Sequence, residues 1–178
     1  MRRQLLVTAT GEDRPGIVAR LSEVFVEHGA NLEESRMALL GGEFAAIILV
    51  TVADQRMEAL NKSLVQLMGE GITIATKPTK GFGADRLKGH VPFELKVSGA
   101  DHEGIVHRVS KFLRDHAVNI QSMESEVLSA PETGTPLFSM RATVQVPPSV
   151  AISEFKKQLA EIGYQESVEI EVCVPGKS

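Results

Sequence analysis

Apolar residues along this chain follow two periods, and the whole pattern occurs twice. Leu5 to Thr10 is a short apolar run of strand type. Ile17, Val18, Leu21, Val24 and Phe25 then recur at helical spacing. Gly29 follows as a helix stop. A strand from about Leu32 to Leu40 meets Gly41-Gly42, a hairpin signal. The run FAAIILVTV, residues 44–52, predicts a strand buried on one face and covered at its ends on the other. Met57, Leu60, Leu64, Leu67 and Met68 predict a second amphipathic helix, and Ile72–Ala75 a closing strand.

The second half repeats the order. Leu95 and Val97 open it, and Ile105, Val109, Phe112 and Leu113 form a helical stripe. Phe138, Met140, Ala142, Val144 and Val146 alternate with Ser139, Arg141, Thr143 and Gln145, which marks a sheet with one wet face. Ile152, Phe155, Leu159 and Ile162 predict the next helix, with Ser149 as its N-cap. Val168, Ile170, Val172 and Val174 alternate in a last strand. The order βαββαβ, read twice, predicts an α+β chain of two ferredoxin-like units. Each has an antiparallel sheet with both helices on one face.

The repeat is also literal. Residues 11–32 read GEDRPGIVARLSEVFVEHGANL, and residues 99–120 read GADHEGIVHRVSKFLRDHAVNI. Aligned without a gap they share nine identities in 22 positions, among them Asp13/Asp101, Gly16/Gly104, Arg20/Arg108 and Asn31/Asn119. Between the copies, KPTKGFGADRLKGHVPF (residues 77–93) has linker composition. The units are therefore expected at 1–77 and 94–174, joined by 78–93.

Composition narrows the function. The 178 residues are 43% hydrophobic and 24% charged, with net charge −4. That is the balance of a soluble globular protein, and it speaks against a phosphate-binding surface, which needs clustered Lys and Arg. Aromatics are only 4%, so stacking platforms for single strands are not expected. No apolar run approaches the roughly 20 residues of a membrane helix, and no signal-peptide pattern opens the chain. One cysteine, Cys173, excludes an internal disulfide. A cytoplasmic protein is expected.

The turn at residues 11–16 carries the candidate chemistry. It opens the first helix, whose unpaired N–H groups and positive dipole end suit a carboxylate. Gly16 allows close approach to the backbone, and Pro15 pre-sets the helix start. The amide of Asn31 both donates and accepts, which suits an amino acid's ammonium and carboxylate. A structural purpose accounts for the same residues: Asp13 caps a turn, Pro15-Gly16 starts a helix, and Asn31 tolerates a left-handed link. The residues alone leave both readings open.

DRPGIV with the trailing GANL resembles the signature of the ACT domain, a small regulatory module of βαββαβ fold. The resemblance covers both halves and is close to the tandem-ACT family of glycine cleavage system transcriptional repressors. It implies amino-acid binding at interfaces between paired domains, through the first strand–helix loop and the start of the second strand. Carried onto this chain, it implies Asp13, Arg14, Gly16, Ile17, Asn31 and Leu32. In the second copy it implies Asp101, His102, Gly104, Ile105, Asn119 and Ile120, where His102-Glu103 replaces Arg14-Pro15. The implied function is control of transcription by a non-enzymatic protein that binds a small amino acid, glycine favoured, and contacts a DNA-binding transcription factor. The alternative is a feedback subunit of a biosynthetic enzyme.

Other signals are weaker. Gly41–Phe44 matches the letters of a nucleotide-cyclase motif, but a hairpin explains it better. His102 and His107 are five apart, roughly 140° around a helix, which does not make a zinc pair. His28 and His116 fit helix ends. Cys173 lies beside Glu169 and Glu171, which disfavours a thiolate. Glu33-Glu34 and Lys156-Lys157 read as solvated surface. No metal, cofactor, catalytic pair or nucleic-acid-reading element is expected. A sheet edge free to pair makes a homodimer an expectation too. SAPETGTPLF, residues 129–138, reads as a connection, lid or interaction loop that is mobile without a partner.

Overall fold

The computed structural model describes residues 1–80, 87–130 and 133–176. The chain falls into two compact units, residues 1–83 and 84–178. The first contains β1 (Arg2–Glu12), α1 (Ile17–Glu27), β2 (Asn31–Leu40), β3 (Glu43–Ala53), α2 (Met57–Gln66) and β4 (Thr73–Thr79). The second contains β5 (Val91–Ala100), α3 (Ile105–Asp115), β6 (Asn119–Ser129), β7 (Pro136–Val146), α4 (Ile152–Gln165) and β8 (Val168–Cys173). Each unit is a four-stranded antiparallel sheet, in the orders β2-β3-β1-β4 and β6-β7-β5-β8. The expected βαββαβ order therefore holds in both.

Alternation places the core. On β1, Leu5, Val7 and Ala9 are buried; on β3, Phe44, Ala46, Ile48, Val50 and Val52 are. They close against Ile17, Leu21, Val24 and Phe25 of α1 and Leu60 and Leu64 of α2 in one apolar cluster, so both helices lie on one face of the sheet. The second core is built the same way around Leu95, Val97, Met140, Val144, Phe155 and Leu159. Val18 departs from the expected stripe and stays 46% exposed, one step off the positions that face the sheet. Met68 is likewise exposed, because it stands in the 3₁₀ turn after α2, where the angle per residue changes.

Chain reversals follow their residues. Gly41 and Gly42 both have positive φ, 60° and 86°, as a two-residue hairpin of type I′ requires. After α1, Gly29 N–H bonds Val26 O (2.9 Å) and Ala30 N–H bonds Phe25 O (2.8 Å). This double closure is repeated after α3, where Ala117 occupies the left-handed position at φ 54°. Ser149 does not cap α4. The N-cap is Ala151, and no side chain closes that end. The ends of the 129–138 segment are strand, since β6 extends to Ser129 and β7 begins at Pro136. Of its middle, Pro131 and Glu132 lie outside the described residues, as do 81–86 of the expected linker. β4 extends through Pro78, which an edge strand tolerates. β5 begins at Val91, three residues before the expected start of the second unit.

One contact sets the end of each sheet. A Cβ on Gly11 would lie 2.7 Å from Gly71 O, and one on Gly99 would lie 2.8 Å from Ser167 O and Val168 Cα. These neighbours are backbone and cannot swing away. Gly11→Ala and Gly99→Ala are each expected to lose about 1–3 kcal/mol in urea unfolding. Ala117→Gly, which relieves a left-handed alanine, is expected to gain about 1 kcal/mol in the same measurement.

Candidate functional site

In the first unit β1 ends at Glu12, and Asp13 N–H bonds Gly42 O at 3.0 Å, tying the turn to the β2–β3 hairpin. Gly16 is the N-cap of α1, at φ 100°. That backbone conformation favours glycine, and a Cβ there would meet nothing within 4 Å, so the turn is open on this side. No side chain caps the helix, which leaves its first N–H groups without a side-chain acceptor. Gly104 repeats this at φ 102°. The second turn is tied by Asp101 N–H to Pro136 O at 3.1 Å.

Arg14 does not reach into that open space. Its guanidinium donates to the carbonyl of Glu70, in the connection before β4. Arg20 on α1 grips the Glu70 carboxylate with Nε at 3.1 and 3.3 Å and holds Glu23 at 2.8 Å. The second unit builds the same clasp around Glu166. His102 Nε2 donates to Glu166 O at 2.6 Å, and Arg108 Nε lies 2.9 Å from Glu166 Oε1. His102 Nδ1 meets a second carbonyl, Glu103 O, at 3.0 Å. Two carbonyl acceptors need two ring N–H groups, and only the imidazolium has both. The bond to Glu166 first, and that to Glu103 next, raise the His102 pKa above its ordinary 6.5. Glu70 and Glu166 escaped the sequence reading. The repeated Arg20/Arg108 identity was the signal that something in each unit needed a guanidinium.

Asn31 and Asn119 are the first residues of β2 and β6. Just after each lies a bulge, with Glu33 and Gln121 as the extra residues. Glu33 is not merely solvated surface. Its Oε1 accepts from Asn31 Nδ2 at 3.0 Å and from the Thr51 hydroxyl. Those bonds, Thr51 foremost and then Asn31, hold its carboxyl below the usual range. In the second unit Gln121 Oε1 accepts from Gln145 Nε2 at 2.8 Å, so the corresponding place carries no charge.

The turn and the asparagine of one unit do not meet. Asn31 pairs with Thr51, which pairs with Gln4 near the start of β1; Glu12 pairs with Glu43, beside Leu40 at the far end of β2. Nine residues of strand separate the two ends, about 30 Å. Asp13, Arg14, Gly16 and Ile17 therefore form one locus, and Asn31 and Leu32 another. The second unit separates Asp101, His102, Gly104 and Ile105 from Asn119 and Ile120 in the same way. The side chains of Ile17 and Ile105 are core, so only their backbone N–H groups can face a ligand. Leu32 is partly open, whereas Ile120 packs against the core.

The remaining singled-out residues have local partners. His28 Nε2 and Ser63 Oγ are 2.8 Å apart, and His116 Nδ1 donates to Phe112 O at 2.9 Å. Among the described residues no group of three or more His, Cys, Asp or Glu could hold a metal, and no helix is long and apolar enough to cross a membrane. A cavity of about 480 Å³, lined by Met1, Ala53, Asp54 and Gln55, opens at the start of β1, at the other end from the turn.

Comparison with known proteins fits this architecture. The ACT domain family model matches residues 3–74. The glycine cleavage system transcriptional repressor of Escherichia coli (strain K12) is 26% identical over 170 residues, covering 93% of this chain and 89% of that protein. The crystal structure of a protein of unknown function from Galdieria sulphuraria superposes with TM-score 0.80 at 33% identity, over 97% of this chain and 98% of that one. The structure of a candidate glycine cleavage system transcriptional repressor superposes with TM-score 0.70 at 19% identity, over 97% and 96%, and so shares the fold.

A raised His102 pKa means that the folded chain holds the proton more tightly than the unfolded one. The stabilisation is complete below about pH 6.5 and is lost as pH rises through the folded value. NMR titration is expected to place His102 above the ordinary histidine value. His102→Gln should flatten the stability profile across that interval, measured by denaturant unfolding at a series of pH values.

Proposed function

Because residues 3–74 match the ACT domain family model, we propose that this chain is a non-enzymatic regulatory protein. It binds a small amino acid, glycine foremost, and thereby changes its hold on a DNA-binding transcription factor of a glycine-cleavage-type system. The observation that carries this reading is the duplicated open turn. Gly16 and Gly104 both sit at left-handed φ over a helix N-terminus that no side chain caps. Arg14 and His102 are held aside by their own unit, which leaves the backbone as the reading surface. Backbone N–H groups and a dipole recognise the carboxylate that all amino acids carry, and the absence of a Cβ at the turn favours a ligand that approaches closely.

An ammonium needs acceptors, and the chain has them at the other end of the sheet: Asn31 Oδ1 and the Glu33 carboxylate. A glycine molecule cannot bridge about 30 Å. The complement to each end is therefore supplied across the edge strands. β2 and β6 are exposed along nearly their whole length, with Leu39, Leu40, Val127 and Leu128 open, and such an edge accepts a partner strand. A ligand lodged beside that seam has different affinities for the free and the paired chain. It then shifts pairing by the same coupling energy, typically about 1–3 kcal/mol.

Thermal unfolding of the dialysed protein against each of the twenty amino acids tests the reading. A ligand at about 100 times its Kd should add about 2.7 kcal/mol, a shift of several degrees at this size. The shift should be present for glycine or another small amino acid and lost in Gly16→Val and Asn31→Ala. Absence of a shift for all twenty, with and without the transcription factor, would remove the sensing role.

A further inference from the structure

The two sheets have the same lattice of positions on the face away from their helices, and that face has diverged. In the first unit one row across it reads Glu34, Leu49, Leu6, Lys77 from β2 to β4. The next row is centred on Ile47, which is 44% exposed, with Arg36 on the edge. An antiparallel sheet that ends at water normally offers polar residues there; this one has an apolar centre and opposite charges at the two ends of one row. In the second unit the corresponding row reads Ser122, Thr143, Glu94, Cys173, with no apolar pair at its centre, and the next row reads Glu124, Arg141, Lys96, Glu171, with like charges at both ends.

We propose that the open face of the first sheet packs against the same face of a second copy of this chain, about a two-fold axis running along the strands. That axis exchanges left and right across the sheet and leaves position along the strands unchanged. It therefore sets Lys77 of one copy opposite Glu34 of the other, twice, and Leu6 opposite Leu49 between them. An axis running across the strands through the same row would set Glu34 on Glu34 and Lys77 on Lys77. The sheets stack about 10 Å apart, at about 30°. The same operation on the second sheet would set Glu171 against Glu124, so only the first face is suited to self-pairing. Four strands by about seven residues offer roughly 450 Å² per copy, about 900 Å² in the pair. That is below the 1,200 Å² or so of a stable complex, so the dimer is weak and concentration-dependent.

Sedimentation velocity of the full chain, from low to high micromolar concentration, reads the association directly. Lys77→Glu and Glu34→Lys are exposed changes, each expected to raise the dimer Kd about tenfold, because two pairs turn repulsive at once. The double variant should restore association. Ile47→Arg should abolish it, with circular dichroism confirming that the fold persists. A chain that is monomeric at every concentration, or a dimer indifferent to both charge reversals, would overturn the proposal. So would a double variant that fails to recover.

Discussion

The end of each unit depends on a place where a side chain is forbidden. Gly11 and Gly99 let the connection before the last strand lie directly on the end of the first strand, backbone against backbone. That contact brings Glu70 and Glu166 within reach of the helix that follows the turn. From there Arg20 and Arg108 hold the carboxylates, while Arg14 and His102 hold the neighbouring carbonyls. The turn that opens α1 or α3 is thus fixed from two sides, by the hairpin through Asp13 or Asp101 and by the clasp. Fixing it costs the helix N-terminus nothing, because every bond is made beside the first-turn N–H groups rather than to them. A turn organised without consuming its own donors is pre-arranged for an anion, which reduces the ordering that binding would otherwise require.

Duplication supplies an internal comparison. The two units share the glycine contact, the clasp, the open N-cap and the bulge after the asparagine, so these features belong to the architecture. They differ where chemistry can vary without disturbing it. Arg14 supplies a guanidinium, whereas its counterpart His102 supplies an imidazole whose pKa its carbonyl partners raise, so the second clasp is the one that can lose a proton. Glu33 is an anion beside Asn31, whereas Gln121 is neutral. An ammonium is drawn more strongly to the first asparagine end than to the second. The units are therefore unequal partners in any shared task, although their backbones follow the same path.

Most of the fold was legible because it rests on periodicity. The alternation in β3 and β7, the stripes of α1 and α3 and the Gly41-Gly42 hairpin are local patterns, and local physics reproduces them. The errors have equally local causes. Ser149 has the right chemistry for a cap and stands two residues too early. Val18 and Met68 are apolar residues just off the buried stripe. The candidate site was legible only in part. Asp13, Gly16 and Asn31 were visible as a repeated motif, but a motif does not show that its two halves sit at opposite ends of a sheet. That follows from the antiparallel register of β1, β2 and β3, which no short window contains. Glu70 and Glu166 were hidden for the same reason, since their partners lie 50 and 58 residues away. Glu33 is exposed, as read, but its bond from the Thr51 hydroxyl joins residues 18 apart and no local pattern announces it.

The split between turn and asparagine bears on regulation itself. A ligand shifts an equilibrium only through a difference in affinity between its two states. A pocket complete within one unit would hold its amino acid equally well whether or not a partner was docked on β2 or β6, and would report nothing. On the proposed function, two half-sites, each ending at an open edge, avoid that outcome, because affinity rises only where a complement is laid alongside. The direction of the response is then set by what supplies the complement. If the transcription factor does, the amino acid tightens the complex. If another copy of the chain does, the amino acid favours self-pairing and withdraws the chain from the factor. On the proposed function, release from the factor by the amino acid follows from the second arrangement, in which pairing across an edge and partner binding compete for the same molecules.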